Sequence, residues 1–579
     1  MRLINCQSLK FEEFVRDVPP YAVLSHTWGK DEVTLNDMRN RDEALENDSE
    51  RGRFRKIEDT CRVALEQNIN YAWVDTCCID KSSSAELSEA INSMFAWYKQ
   101  ATICFVFLSD FTSFSEDTLE EIVNLFDARE PLEEGFYKDP PPLTNQEITI
   151  RDKVKKSLGS CRWFARGWTL QELIAPSCVQ FFDRDWKCFG SKAQLASVLA
   201  WITGIDSSVL RGKPLDEILV GRRMCWASTR ETTRVEDIAY CLLGIFDINM
   251  PLLYGEGKKA FTRLQEEIIR SSHDLSIFAW KAEGNDLRRF RGLMANSPAE
   301  FKGCQRLVTP SFEWNNGGEY SITSRGLRTE SLVRITRGES AEVGSYFLSL
   351  NCVDARQTKL ILAVSLSQYG PGLFARRKPW QRFTVFDLNV FSAAKLSQPQ
   401  YICCKDSPEL EKIVMDSRVD AIQIGFSVDI FDRFDRDSIT AFPQADWDLK
   451  NSILLSFQRP QLWGMWKIKA KDQDDGISIV CVRSSGWLLY GIFAWDKLPA
   501  ALTQTRLLPS EVENILKRLP DRTSTSCSGF HHTISDIKLD LGENGVKVPA
   551  TLLQVSSTEK ERSQRRTGSN FIKRLLKKV

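Results

Sequence analysis

Four short stretches of this chain place acids, indoles and thiols directly after apolar runs, where an open parallel sheet presents its ligands. Tyr21-Ala-Val-Leu-Ser-His26 delivers Ser25, His26, Trp28 and Gly29. Tyr71-Ala-Trp-Val-Asp75 delivers Asp75, Thr76, Cys77, Cys78 and Asp80. Ile103-Cys-Phe-Val-Phe-Leu108 delivers Ser109 and Asp110. Arg166-Gly-Trp-Thr169 opens a helix that carries Gln171 and Glu172, ahead of Val179-Gln-Phe-Phe182.

Each group has a chemical reading and a structural one. Glu172, one turn after Trp168, is the leading candidate carboxylate; a helix-start carboxylate also serves the helix dipole or pairs with Arg166. Asp75 and Asp80 suit ribose hydroxyls, although acids after a strand are more often turn residues. Cys77 and Cys78 with His26 would make a thiolate nucleophile only with the base in hydrogen-bond reach, and adjacent cysteines after a strand more often fill a core. Gly255-Glu-Gly257-Lys258 lacks the spacing and preceding strand of a phosphate loop and reads as a helix-start turn. No G-x-G-x-x-G and no C-x-x-C occurs, so neither a Rossmann dehydrogenase nor a structural zinc site is expected.

The elements that must hold these groups follow from periodicity. Residues 54–68 carry Ile57, Cys61, Ala64 and Leu65 on one stripe, which predicts a helix. Ser83 and Glu86 predict a capping box ahead of Leu87, Ala90, Ile91, Met94, Phe95 and Tyr98. Continuous apolar strands alternating with helices predict a doubly wound, mostly parallel α/β sheet, with residues 112–160 as an acidic insertion or surface loop bearing Pro140-Pro141-Pro142. Residues 191–285 read as helical, with Thr233 and Glu236 capping a helix through Leu243. From 286 to 555, short alternating runs such as Tyr346-Phe-Leu-Ser-Leu350 predict an antiparallel, β-rich domain.

With 579 residues, 42% hydrophobic and 27% charged, the chain has ordinary globular composition and enough apolar material for a large core. No window approaches 18 apolar residues, and the charged start Met1-Arg-Leu-Ile-Asn-Cys6 is no secretion signal, so a cytoplasmic protein with reduced, mostly buried thiols is expected. The net charge is zero, but residues 1–280 hold 34 basic and 44 acidic side chains. Nucleic acid is therefore not expected as a ligand. The tail 556–579 carries 8 basic and 2 acidic residues and ends Phe571-Ile-Lys-Arg-Leu-Leu-Lys-Lys-Val579. It is expected to be disordered until it docks on the acidic half or, weakly, on a membrane surface.

Three blocks, Tyr21-Ala-Val-Leu-Ser-His-Thr-Trp-Gly29, Trp73-Val-Asp-Thr-Cys-Cys-Ile-Asp-Lys81 and Arg166-Gly-Trp-Thr-Leu-Gln-Glu-Leu-Ile-Ala-Pro176, strongly resemble the signature blocks of the fungal heterokaryon-incompatibility (HET) domain, in order and spacing. Arg230-Glu-Thr-Thr-Arg-Val-Glu-Asp237 and Leu253-Tyr-Gly-Glu-Gly257 resemble the segment that follows it, so the likeness spans about residues 1–280. The family implies non-self recognition and cell death, and a fold related to Toll/interleukin-1 receptor (TIR) domains. Tyr21-Ala-Val-Leu-Ser25 is similar to the opening TIR strand, and Trp168-Thr-Leu-Gln-Glu-Leu173 to the plant-type Trp-Cys-Leu-x-Glu-Leu motif. In NAD-cleaving members that Glu is catalytic, and it falls on Glu172. The insertion before this block departs from TIR spacing.

The chain is accordingly expected to comprise a TIR-like or flavodoxin-like HET domain at 1–190, a helical extension at 191–285, a β-rich domain at 286–555 and the basic tail. Glu172 is the expected catalytic carboxylate. Ser25, His26, Trp28, Gly29, Asp75, Cys78, Asp80, Arg166, Trp168 and Gln171 are the expected substrate contacts, with no metal or cofactor and NAD as the substrate. The other reading is a death-signalling module that self-associates and recruits an unidentified protein partner without turnover.

Overall fold

The computed structural model describes residues 1–44, 48–129, 142–284 and, in shorter stretches, 286–557. The basic tail from residue 558 and Pro140-Pro141 lie outside the described residues.

The first half is built on a seven-stranded sheet. Its strands are β1 (Arg2–Asn5), β2 (Lys10–Glu13), β3 (Tyr21–His26), β4 (Tyr71–Trp73), β5 (Ile103–Phe107), β6 (Val179–Phe182) and β7 (Cys188–Ser191), in the order β2-β1-β4-β3-β5-β6-β7. The inner four are parallel: Tyr21 faces Tyr71, Ala22 faces Ile103, and Cys104 faces Val179. Every residue of β3 and of β5 is buried, as expected of strands covered on both faces and spelled as unbroken apolar runs. The chain enters the parallel set at its middle. β4 lies on one side of β3, and β5 and β6 on the other, so the strand order reverses at β3.

Three expectations change. The sheet is flanked by antiparallel edges, β1 and β2 on one side and β7 on the other. The strands are only four residues long, with charges in β1 and β2 and a glycine in β7 that hide the strand period, and pairing to a neighbour forms them. The stretch 112–160 is no plain loop: it holds α-helices Glu116–Ala128 and Asn145–Lys156. The second opens with a complete capping box between Thr144 and Glu147, and Arg129 grips the Glu147 carboxylate at 2.7 Å on both oxygens. Thr233 and Glu236 do not cap a helix. The segment is a single turn, Asp237–Tyr240, and the Glu236 carboxylate is used elsewhere.

Helix α1 (Asp48–Glu66) follows β3, and α2 (Ser84–Gln100) joins β4 to β5. Half of the expected box at α2 forms. Ser83 accepts the Glu86 N–H, while the Glu86 carboxylate turns to the Asp80 N–H and to Arg2. The short helix α3 (Thr169–Ile174), which precedes β6, is buried at every position.

One apolar core runs from Leu3 to Cys404, across residues 190 and 285, with Trp73, Trp163, Trp226 and Trp280 fully buried in it. Ten strands from Phe290 to Ile402 form a second sheet, nearly all antiparallel, whose inner side chains such as Leu348, Leu366 and Phe374 join that core. A buried ion cluster sits at the junction: Arg291 pairs with Glu300, and Arg291 and Arg376 pack on the Trp280 ring at 4.3 and 3.6 Å. Five-stranded and four-stranded sheets follow and carry their own apolar clusters, one around Ile422 and Trp466 and one around Val480 and Leu516.

Candidate active site

A cleft of about 850 Å³ opens at the carboxyl ends of β3 and β4, beside the reversal of strand order where α/β sheets take ligands. Thr27, Trp28 and Gly29 leave β3 into it, and Asp75 leaves β4. Arg166 and Trp168 stand before α3, and Glu172 projects from α3. Only 6% of Glu172 is exposed, so its carboxyl forms the floor of the cleft.

The floor is held by groups from four places in the chain. Ser25, fully buried on β3, donates to Glu172 Oε2 at 2.5 Å, and the Trp163 indole donates to Ser25 Oγ at 2.8 Å. Tyr98 from α2 also favours the ionised carboxyl, and the Cys104 thiol from β5 donates to the Glu172 carbonyl at 3.9 Å. Burial, and then the nearby Asp75 charge, push the Glu172 carboxyl up to about 8, against the opposing pull of Ser25, Arg166 and Tyr98. That upward shift favours the neutral form of Glu172 in the free protein.

Helix α3 is too short to be stable alone and is held by a cation at each end. At its start, Arg230 donates to the Arg166 carbonyl and to Thr169 Oγ1, both at 2.8 Å. At its end, Lys192 donates to the carbonyls of Leu173, Ile174 and Pro176, in and just beyond the last turn, where helix carbonyls lack intrahelical partners. Burial lowers Arg230 to about 10 and Lys192 to about 8, the cost of keeping both cations inside.

The facing wall comes from residues 231–237 and Tyr254, which the motifs did not single out as ligand groups. Glu231 pairs as a strand with the segment before α3: its N–H donates to the Ala165 carbonyl at 2.7 Å, and Gly167 N–H returns to its carbonyl at 2.8 Å. Gly167 permits this approach, since a Cβ there would stand 2.5 Å from Thr232 Cγ2 and 3.1 Å from Cys241 Sγ. The Gly255 and Gly257 N–H groups, both at positive φ, hold the Glu236 carboxylate at 2.8 and 2.9 Å. The loop that looks like a phosphate cradle thus already contains an internal anion. Tyr254 donates to Asp237 at 3.0 Å, and Arg234 lies 4.5 Å from the Tyr254 ring centre.

Between floor and wall the cleft is cationic and aromatic. Trp28 is 40% exposed; its indole donates to Asp75 at 2.9 Å, and Lys81 and Arg166 lie 3.8 and 5.4 Å from its ring centre. Lys81, Arg166 and Arg234 make no ion pair within 4.0 Å among the described residues, which leaves three cations able to meet an anion. Among those residues no group of three His, Cys, Asp or Glu is placed to hold a metal ion.

Of the expected contacts, Trp28, Gly29, Asp75, Arg166, Trp168 and Glu172 line the cleft. Ser25 lies beneath it. His26 is buried and faces Glu32 at 3.5 Å; burial raises Glu32, but His26, the Gly29 N–H and Lys56 outweigh it and hold that carboxyl well below its usual range. Cys78 is buried with its sulfur against the Val74 N–H at 3.3 Å, and Gln171 is buried within α3. Asp80 accepts from the Ser82 N–H and hydroxyl, a turn role. The Cys78 thiol and then burial raise Cys77 well above the ordinary thiol range, which disfavours a thiolate at Cys77.

Comparison with known proteins agrees with these blocks. Residues 21–172 match the family described as Heterokaryon incompatibility protein (HET), and residues 259–311 match a domain of unknown function (DUF8212). The chain is 42% identical over 313 residues to the vegetative incompatibility protein HET-E-1 of Podospora anserina, an alignment covering 53% of this chain and 20% of that protein. The chain therefore spans about one fifth of the length of this curated relative. No solved structure matches. The HET match ends at Glu172, so it contains the floor and leaves out the wall.

Proposed function

The chain carries a heterokaryon-incompatibility domain, and from that premise we propose that it acts in fungal non-self recognition and regulated cell death by hydrolysing cytoplasmic NAD to nicotinamide and ADP-ribose. The observation that carries this reading is a buried carboxyl, Glu172, at the floor of a cleft lined by two indoles, a phenol and three cations that make no ion pair among the described residues. The kinship with TIR domains belongs to the same proposal. It is supported by the parallel strand order β4-β3-β5-β6 and by Glu172 standing in the Trp168-Thr-Leu-Gln-Glu-Leu173 block.

NAD offers what such a cleft can recognise: a diphosphate for Lys81, Arg166 and Arg234, flat rings for Trp28, Trp168 and Tyr254, and a cationic pyridinium to face Glu172. The pyridinium charge favours the ionised carboxyl, because an opposite charge in a buried site stabilises it. The C1′–N bond then breaks with both electrons leaving on neutral nicotinamide. Ionised Glu172 stabilises the positive charge that develops on the ribosyl carbon. Water adds to that carbon, and its proton leaves by way of Glu172. The products are nicotinamide, ADP-ribose and one proton.

The test is nicotinamide release by the purified full chain at high concentration, wild type beside Glu172→Gln. Release by wild type and none by a folded Glu172→Gln protein supports the proposal. No release across a range of concentrations that includes self-association removes it in favour of a non-catalytic assembly module. That second reading has its own support in Val235 and Leu253, both 52% exposed beside the cleft wall.

A further inference from the structure

We propose that Ser25 and Trp163 are positioning residues, a two-step hydrogen-bond relay that fixes the orientation of the Glu172 carboxyl and presents it as an acceptor. The inference rests on Glu172 being the reacting carboxylate, and it concerns residues that no substrate can touch. Ser25 and Trp163 are both 0% exposed.

The argument is one of donors and acceptors. An indole N–H can only donate. Trp163 Nε1 points at Ser25 Oγ from 2.8 Å, so that oxygen is an acceptor on its Trp163 side. Whenever Glu172 is ionised its carboxylate can only accept, so the hydroxyl proton is directed to Glu172 Oε2, which stands at 2.5 Å. Trp163 has little freedom to turn away. Its ring packs edge-on against Phe164 and Phe181 at 5.0 and 5.9 Å, and its own carbonyl receives Thr169 Oγ1 at 2.6 Å. The relay is thus built from the same turn that launches α3, and it reaches Glu172 from the strand beneath.

Every other charged or titratable group facing Glu172 acts differently. Asp75 after β4 opposes ionisation by like charge, while Arg166 and buried Arg230 favour it from the α3 side. Tyr98 from α2 also favours the ionised carboxyl, but its hydroxyl proton is donated to the Leu24 carbonyl at 3.2 Å. The Cys104 thiol from β5 addresses the backbone carbonyl of Glu172. Ser25 is the donor whose direction is set by a third group. This is the pattern by which a buried hydroxyl stabilises a charge it does not itself carry.

The experiment follows the Glu172 ionisation midpoint in the full chain by ¹³C NMR of protein labelled at the glutamate carboxyl carbon, assigned by subtraction with Glu172→Gln and recorded without substrate. Ser25→Ala removes only the hydroxyl oxygen and should raise the midpoint by about one pH unit, a tenfold loss of ionised carboxyl at a fixed pH. Trp163→Phe keeps an aromatic ring, frees the hydroxyl to rotate, and should move the midpoint the same way by less. Near-ultraviolet circular dichroism checks that each variant is folded; if Ser25→Ala is not, Trp163→Phe decides alone. The pH profile of nicotinamide release should move with the midpoint. A midpoint unmoved in the folded variants overturns the relay, even where nicotinamide is still released. A moved midpoint in protein that never releases nicotinamide upholds the relay and removes the NAD reading instead.

Discussion

The floor and the wall of the cleft are built on opposite plans. The floor consists of buried groups on strands and on a clamped helix: Ser25, Trp163, Tyr98 and Glu172, tied by hydrogen bonds between 2.5 and 2.8 Å where Ser25 is concerned. The wall consists of exposed residues, Glu231, Thr233, Arg234 and Val235, on irregular backbone held by two backbone hydrogen bonds and by the grip of Glu236 on Gly255 and Gly257. A rigid floor fixes where charge is stabilised, and low-dielectric surroundings make that charge effective. An exposed wall tolerates substitution, so it is suited to choosing what enters. The family match covers the first and stops before the second.

The sharpest break of this contrast is Glu172→Gln. It should reduce nicotinamide release by about 10²–10³-fold or more while the protein stays folded, because the amide keeps the shape of the neutral acid and loses only the ionisable charge. A fall no larger than that of a wall variant would erase the distinction between floor and wall.

The pH dependence sharpens it. Glu172 ionises in the free protein near 8, so kcat/KM should rise with pH through about 8 if the carboxylate is the working form. Stability should run the other way. A carboxyl whose folded value lies above its ordinary 4.5 binds more protons folded than unfolded, so its contribution is complete below about 4.5 and lost as pH rises through about 8. Urea unfolding of wild type against Glu172→Gln between pH 5 and pH 8 should show wild type losing ground steadily. Parallel curves would mean that Glu172 does not titrate within that window.

The clamp on α3 comes next. Arg230→Met removes the donor to the Arg166 carbonyl and Thr169 Oγ1 and leaves both buried acceptors without it, so it should cost about 2–3 kcal/mol by denaturant unfolding. Gly167→Ala pushes a methyl into Thr232 and Cys241, and it should cost about 1–3 kcal/mol as the wall is forced away from the floor. A neutral Gly167→Ala would show that the wall yields freely. The smallest effect is expected at the rim. Arg234→Ala should raise KM several-fold, about 1 kcal/mol, with kcat unchanged, as loss of uniform binding does. A kcat loss as large as that of Glu172→Gln would move Arg234 from the wall to the chemistry.

Much of the floor was legible in the linear order of residues. Tyr21–His26 and Ile103–Phe107 are continuous apolar runs, and strands buried on both faces have no other way to be written. The Arg166–Pro176 block placed Glu172 one turn into a helix after an indole, and the structure puts it on the cleft. The wall was not legible as such. Its residues are polar, without a repeating period, and they meet the cleft because Gly167 allows two segments more than 60 positions apart to touch, as the Gly167–Glu231 hydrogen bond shows. Edge strands β1 and β2 were hidden for a related reason, since pairing, more than their own side chains, makes them strands.

Sequence alone determined the central strands, the signature blocks and the candidate carboxylate, because local apolar pattern and motif spacing are properties of neighbouring residues. Tertiary structure decided which polar groups share a site. It turned Ser25 beneath Glu172, His26 toward Glu32, and Cys78 and Gln171 into the interior. It also decided the ionisation of Glu172, because that depends on burial and on Asp75, Arg166, Ser25 and Tyr98, groups brought from β3, the end of β4, α2 and the turn before α3. A charge responds to everything within a few ångströms, and those neighbours are distant in the chain.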